Sequence, residues 1–184
     1  CVMEMGDDSM WIATNVGKIN CMVIGKLKEL ALNELSPIID NLVRDNNGVL
    51  YAASEQGLYR FQDNKFVQLS LSDIKGRNIN KFISNVIPTG KYLLVVRDNQ
   101  LVNTDEKYIL YLYDIEAGRI IAQTQKELVF SLEKAPDGRI WASTDKGFFV
   151  LNTIELKKEK ISFLELAPVY AKVKKSGFIF FGFD

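Results

Sequence analysis

Three segments of this chain share one pattern of apolar and polar positions. MWIATNVGKINCM at Met10–Met22, LYAASEQGLYRF at Leu50–Phe61 and IWASTDKGFFVL at Ile140–Leu151 each run apolar, aromatic, two short or apolar residues, Ser or Thr, two further positions, Gly, then apolar again. Two weaker copies complete the series: YLLVVRDNQLV from Tyr92, followed by YILYLYDI from Tyr108, and FIFFGFD from Phe178 to Asp184. Aligning Trp11, Tyr51, Leu93, Trp141 and Phe180 gives steps of 40, 42, 48 and 39 residues. That is the unit length of a four-stranded propeller blade, and a repeat has to be recognised before any single element is assigned.

Turn chemistry divides each unit into hairpins. A turn signal precedes every aromatic strand: Gly6-Asp7-Asp8-Ser9, Asn46-Asn47-Gly48, Pro88-Thr89-Gly90, Pro136-Asp137-Gly138 and Ser176-Gly177. Asn-Gly and Asp-Gly supply the positive φ that tight hairpins need. After the aromatic strand, Gly17, Gly57 and Gly147 mark a second reversal into KINCMVI, LYRFQ and FFVLN, and KFVQLS and KISFLEL supply fourth strands. Strands of about five residues with no sustained 3.6-residue period predict an all-β chain. Only KLKELALNEL at Lys26–Leu35 also fits a helix, and it equally suits a blade's outer strand and exit loop.

The predicted fold is therefore all-β, a β-propeller segment of about four and a half four-stranded antiparallel blades. Their expected bounds are about 1–30, 41–70, 82–125 and 128–166, with 169–184 a partial fifth, in a single domain over 1–184. A blade is apolar on both faces because it packs between neighbours, so an arc leaves two faces bare. If each bare face exposes about 300 to 600 Å², at about 25 cal/mol per Å² the loss is about 7 to 15 kcal/mol, comparable to a whole domain's net stability. The missing cover is expected from further blades of the same chain, since the last copy stops at Asp184 in register with Asp145. A second copy or a separate fragment could supply the same surface.

Composition narrows the function classes. With 47% hydrophobic residues in 184, the chain can bury a sizeable core, and 23 basic residues balance 23 acidic ones. No global field draws it to nucleic acid or an anionic membrane. Its longest apolar stretches, such as Phe178–Phe181, fall far short of the roughly 20 residues that cross a bilayer, and any secretory leader is expected to have been removed or to lie outside this segment. Cys1 and Cys21 lack metal or redox spacing and read as small buried hydrophobes; a lipidated Cys1 is the other reading. The chain has no His, which removes the commonest general base, the commonest metal ligand and the phosphoacceptor of a histidine kinase. No phosphate-binding, nucleophile-elbow, metalloprotease or EF-hand motif is present, so no catalytic residue and no cofactor are expected.

The order Asp or Asn, Gly, aromatic, Ser or Thr, Gly and apolar, carried by DDSMWIATNVGKI, RDNNGVLYAASEQGLYRF and PDGRIWASTDKGFFVL, resembles the two-component regulator propeller repeat. Tyr51 stands where that repeat usually has Trp, and the unit around Tyr92 lacks the Thr-x-x-Gly turn. The resemblance implies a periplasmic sensor region of a hybrid two-component histidine kinase. There, seven-bladed propellers precede an immunoglobulin-like domain, a membrane helix and a kinase. It further implies an oligosaccharide released from a glycan as ligand, and a dimer in the full-length protein. The same repeat occurs in other exported propellers, and fold does not fix function.

Candidate ligand contacts follow from position. Asn15, Glu55, Arg97, Asp145 and Asp184 all sit just past an aromatic strand, where second hairpins ring one mouth of a propeller. Arg77 and Asn78, in the connection SLSDIKGRNINK, offer guanidinium and amide donors suited to sugar hydroxyls. Trp11 and Trp141 could stack on sugar rings, but their equivalent places in successive units assign them to the core between blades. Three functions remain open: a glycan-sensing domain, an exported scaffold holding a protein partner, and, with least support, a propeller lyase or glycosidase.

Overall fold

The computed structural model describes residues 2–4, 9–13, 18–23, 26–31, 38–98, 109–124, 129–135, 138–144 and 147–151. Among the described residues, fifteen strands form four antiparallel meanders in chain order. The first sheet holds β1 (Val2–Glu4), β2 (Ser9–Ala13), β3 (Lys18–Val23) and β4 (Lys26–Ala31). The second holds β5 (Ile39–Arg44), β6 (Leu50–Ser54), β7 (Gly57–Gln62) and β8 (Lys65–Gln68). The third holds β9 (Ile83–Thr89), β10 (Tyr92–Arg97), β11 (Ile109–Asp114) and β12 (Arg119–Gln123). The fourth holds β13 (Val129–Lys134), β14 (Ile140–Thr144) and β15 (Gly147–Leu151). Lys26–Ala31 is strand, as an outer edge requires. The fifth unit, the strand KISFLEL and the reversal at Gly17 lie outside the described residues.

Side chains close the hairpins where the repeat places them. Asp45 Oδ1 accepts the N–H groups of Asn47 and Val49 at 2.9 and 2.8 Å, while Gly48, at φ 84°, donates to the Asp45 carbonyl. At the second reversal, Ser54 Oγ accepts the Gln56 N–H at 3.1 Å and donates to the Gly57 carbonyl at 3.2 Å. The Ser or Thr of the repeat is thus the clasp of its own turn. Between β7 and β8, Asp63 and Asn64 both take positive φ, the two-residue geometry that matches strand twist.

The second and third sheets bury both faces. Tyr51 and Ala53 of β6 pack toward the third sheet, in a cluster with Leu93, Val95 and Tyr111. The alternate residues Leu50 and Ala52 pack with Trp11 and Phe66 toward the first. In β10, Leu94 and Val96 join Leu132, Ile140 and Ala142 of the fourth sheet. Successive sheets meet mainly through their first strands, β5 with β9 and β9 with β13. Trp11 is 7% exposed within the cluster it was assigned to. Cys21 is a half-buried free thiol at the edge of that cluster.

One alignment is corrected. Tyr51 faces the following sheet, and in β10 the residue that does so is Leu94, whereas Leu93 faces back toward Tyr51. A one-residue slip exchanges the two faces of a strand, and a run such as YLLVV, apolar at every position, carries no alternation to fix the register.

Candidate functional site

The link between the second and third sheets is a built structure rather than a loose connection. Asp73 closes it as Asp45 closes its hairpin: Oδ1 accepts the Lys75 and Arg77 N–H groups at 2.9 and 2.8 Å, and Oδ2 accepts Arg77 Nε at 2.6 Å. Burial would push the Asp73 carboxyl up, but the hydrogen bonds from Arg77 and Lys75 outweigh it and hold the group below its ordinary value. Arg77, expected to be a ligand donor, therefore spends its Nε on the turn.

On either side of this turn the chain crosses the second hairpin of the second sheet. Leu69 N–H donates to the Leu58 carbonyl at 2.8 Å and Phe82 N–H to the Glu55 carbonyl at 2.8 Å. The Phe82 carbonyl then accepts Asp98 N–H from the end of β10 at 2.7 Å. Arg97 Nε donates to the Lys81 carbonyl at 3.1 Å. Asn80 Oδ1 accepts the Leu71 N–H and Asn78 Oδ1 the Asn80 N–H. These bonds hold Phe82 at φ 59°, a left-handed value that a non-Gly residue keeps only under such constraint.

The crossing borders an open cavity of about 460 Å³, within the roughly 300–1,000 Å³ of small-ligand sites. Amides of Gln56, Gln68, Asn78 and Asn80 line it together with Lys81, Phe82 and Arg97. Gln68 Nε2 donates to the Gln56 carbonyl at 2.5 Å, which fixes one wall. Of the residues read from sequence as ligand contacts, Asn78 and Arg97 line this cavity and Glu55 supports it through its carbonyl. Arg77 belongs to the turn behind it, and Asn15, Asp145 and Asp184 lie outside the described residues. Gln56, Gln68, Asn80, Lys81 and Phe82 carried no signal that marked them as ligand contacts and were missed.

A second feature lies on the first strands. The ladders of β5, β9 and β13 skip a residue at equivalent places, leaving Asp40, Ser84 and Phe130 as β-bulges. The sequence holds the sign in Ile39-Asp40-Asn41-Leu42, Ile83-Ser84-Asn85-Val86 and Val129-Phe130-Ser131-Leu132, an apolar pair spanning one free and one polar position. Asp40 and Phe130 are exposed, Phe130 by 42%. The Asp40 carboxyl is pushed up from 3.8 to about 6, first by partial burial and then by the charges of Glu55 and Asp98. The mouth is thus divided in sign, acidic at Asp40, Glu55 and Asp98 and basic at Lys81 and Arg97. Among the described residues no group of acidic or sulfur ligands has the geometry to hold a metal ion.

That division has a pH consequence. The raised value means the folded state holds the Asp40 proton where the unfolded chain has lost it, so stability falls as pH rises from 3.8 to about 6. Asp40→Asn should stabilise the protein by about 1 kcal/mol above that window, a figure discounted for the exposed side chain, and be neutral below it. Denaturant midpoints on either side of the window measure this; equal gains on both sides would remove the electrostatic cause.

No family profile and no curated protein matches the chain. Among solved structures, the extracellular domain of a hybrid two-component system from B. thetaiotaomicron superposes with a TM-score of 0.60 at 16% identity, covering 88% of this chain and 23% of that one. The chain has the fold of a β-propeller. A catalytically inactive virginiamycin B lyase from Staphylococcus aureus, with quinupristin, gives 0.61 at 16% identity, covering 90% of this chain and 55% of that one. The WD40 propeller domain of Doa1 gives 0.57 at 12%, covering 88% and 51%. The chain spans about a fifth to a quarter of the length of the B. thetaiotaomicron extracellular domains it matches.

Proposed function

We propose that this chain is part of an extracytoplasmic sensor propeller that recognises a glycan-derived oligosaccharide and signals to a kinase elsewhere in its protein. The observation that carries the reading is the cavity at the second-hairpin mouth, which planar amides, two cations and Phe82 line together. Amides and guanidinium groups match sugar hydroxyls, and an aromatic face suits the apolar side of a pyranose. The repeat pattern and the fold shared with the extracellular domain of a hybrid two-component system support the same reading. A periplasmic location, a dimeric full-length protein and a segment of about four and a half blades belong to it. It assigns no reaction to this chain, and no His is available to one.

Ligand binding would act on both sheets at once. The crossing 69–82 is bonded to the second sheet at Leu58 and Glu55 and to the third at Arg97 and Asp98, so filling the cavity favours one spacing of the two. That is a population shift rather than chemistry.

A panel of oligosaccharides screened by thermal shift tests the reading. A cognate sugar at about 100 times its Kd should stabilise the protein by about 2.7 kcal/mol. If no saccharide raises the midpoint while a protein partner co-purifies, the exported scaffold replaces the sensor.

A further inference from the structure

Lys81 and Arg97 are the charged residues of the cavity lining, and no carboxylate accompanies them. Among the described residues the Lys81 ammonium has no ion-pair or hydrogen-bond partner. Arg97 spends only Nε, on the Lys81 carbonyl, and so keeps both Nη groups for something else. Glu55 and Asp98, whose charges help to raise the Asp40 carboxyl, are not among the residues that line the cavity. Two cations held at one wall, with one guanidinium pre-oriented by a backbone bond, form an incomplete charge-assisted site. An anion placed between them would complete that site, which a neutral ligand cannot do.

From this we infer that the cavity takes an acidic saccharide, one carrying a uronate carboxylate or a sulfate ester, with the anion seated between Lys81 and Arg97. The sugar ring lies on Phe82, and the Asn78 and Asn80 amides face its hydroxyls. This deepens the sensor reading and rests on it. A fork such as Arg97 matches either anion, so carboxylate and sulfate remain separate arms of the test.

The test measures affinities of the purified full-length protein by calorimetry for three matched oligosaccharides: neutral, uronate-bearing and sulfated. An acidic sugar should bind about tenfold or more tightly than the neutral one, and the difference should shrink as salt is raised. Lys81→Gln, at an exposed side chain, should weaken binding of the acidic sugar about tenfold and that of the neutral one far less. Arg97→Lys, which keeps charge but loses the fork, should weaken binding of the acidic sugar as well. If neutral and acidic sugars bind equally, or Lys81→Gln changes neither, the inference fails while the sensor reading stands. If no saccharide binds at all, both fail.

Discussion

Gly57→Ala should cost about 3 kcal/mol and disrupt the cavity with it. Gly57 stands at φ 134°, in a region closed to side chains, and a Cβ there would lie 2.6 Å from the Asn80 carbonyl oxygen and 2.8 Å from Gln68 Nε2. The Gln68 amide can swing aside. The Asn80 carbonyl cannot, because the crossing is bonded on one side of it by Leu69 to Leu58 and on the other by Phe82 to Glu55. Gly76→Ala is the control: at φ 78° it is strained, but nothing lies within 4 Å, so it should cost only about 1 kcal/mol. Denaturant unfolding of the two variants gives the comparison. Equal costs would mean that the close approach of the crossing to the second hairpin is not what requires glycine. The same measurement bears on the site, since a displaced Asn80 carries Asn78 and Lys81 with it.

The sequence made the hairpins legible because their chemistry is local. Asp45 and Gly48 act within four residues of one another, as do Ser54 and Gly57, so a repeated motif reports a repeated hydrogen-bond pattern. Registers were legible only where turn motifs bracket the strand: Tyr51 could be placed between Asn47-Gly48 and Ser54-Gly57, but Leu94 could not be told from Leu93 in a strand buried on both faces whose second turn motif is missing. The bulges at Asp40, Ser84 and Phe130 were present as a spacing, hidden because three different chemistries occupy one position. The cavity was half legible. Asn78 and Arg97 could be chosen by residue type and place in the repeat, whereas Gln56, Lys81 and Phe82 enter it through the crossing of 69–82, a long-range pairing with no periodic trace.

What holds the first two sheets together is a cluster of aromatic rings, and Phe66→Ala should cost about 3 to 5 kcal/mol. Phe66 is fully buried, with its ring centroid 5.0 Å from that of Phe61 and 6.3 Å from that of Trp11, the latter edge-on at 81°. Phe61 in turn meets Trp11 at 5.3 Å and 75°. Such edge-to-face contacts add to the burial of the rings themselves, and truncation leaves a void that the two facing sheets cannot collapse to fill. Because each sheet of a propeller contacts chiefly its neighbours, the loss should be local at first. Hydrogen exchange should show protection falling in β2 and β8 before it falls in β10 and β11, which pack on the far side of the second sheet. Emission from Trp11 should shift to the red in the same variant, and Phe66→Leu, which keeps an apolar side chain, should lose less. A uniform loss of protection through all four sheets, or a cost below about 1 kcal/mol, would show that these rings do not form the joint between the first sheet and the second.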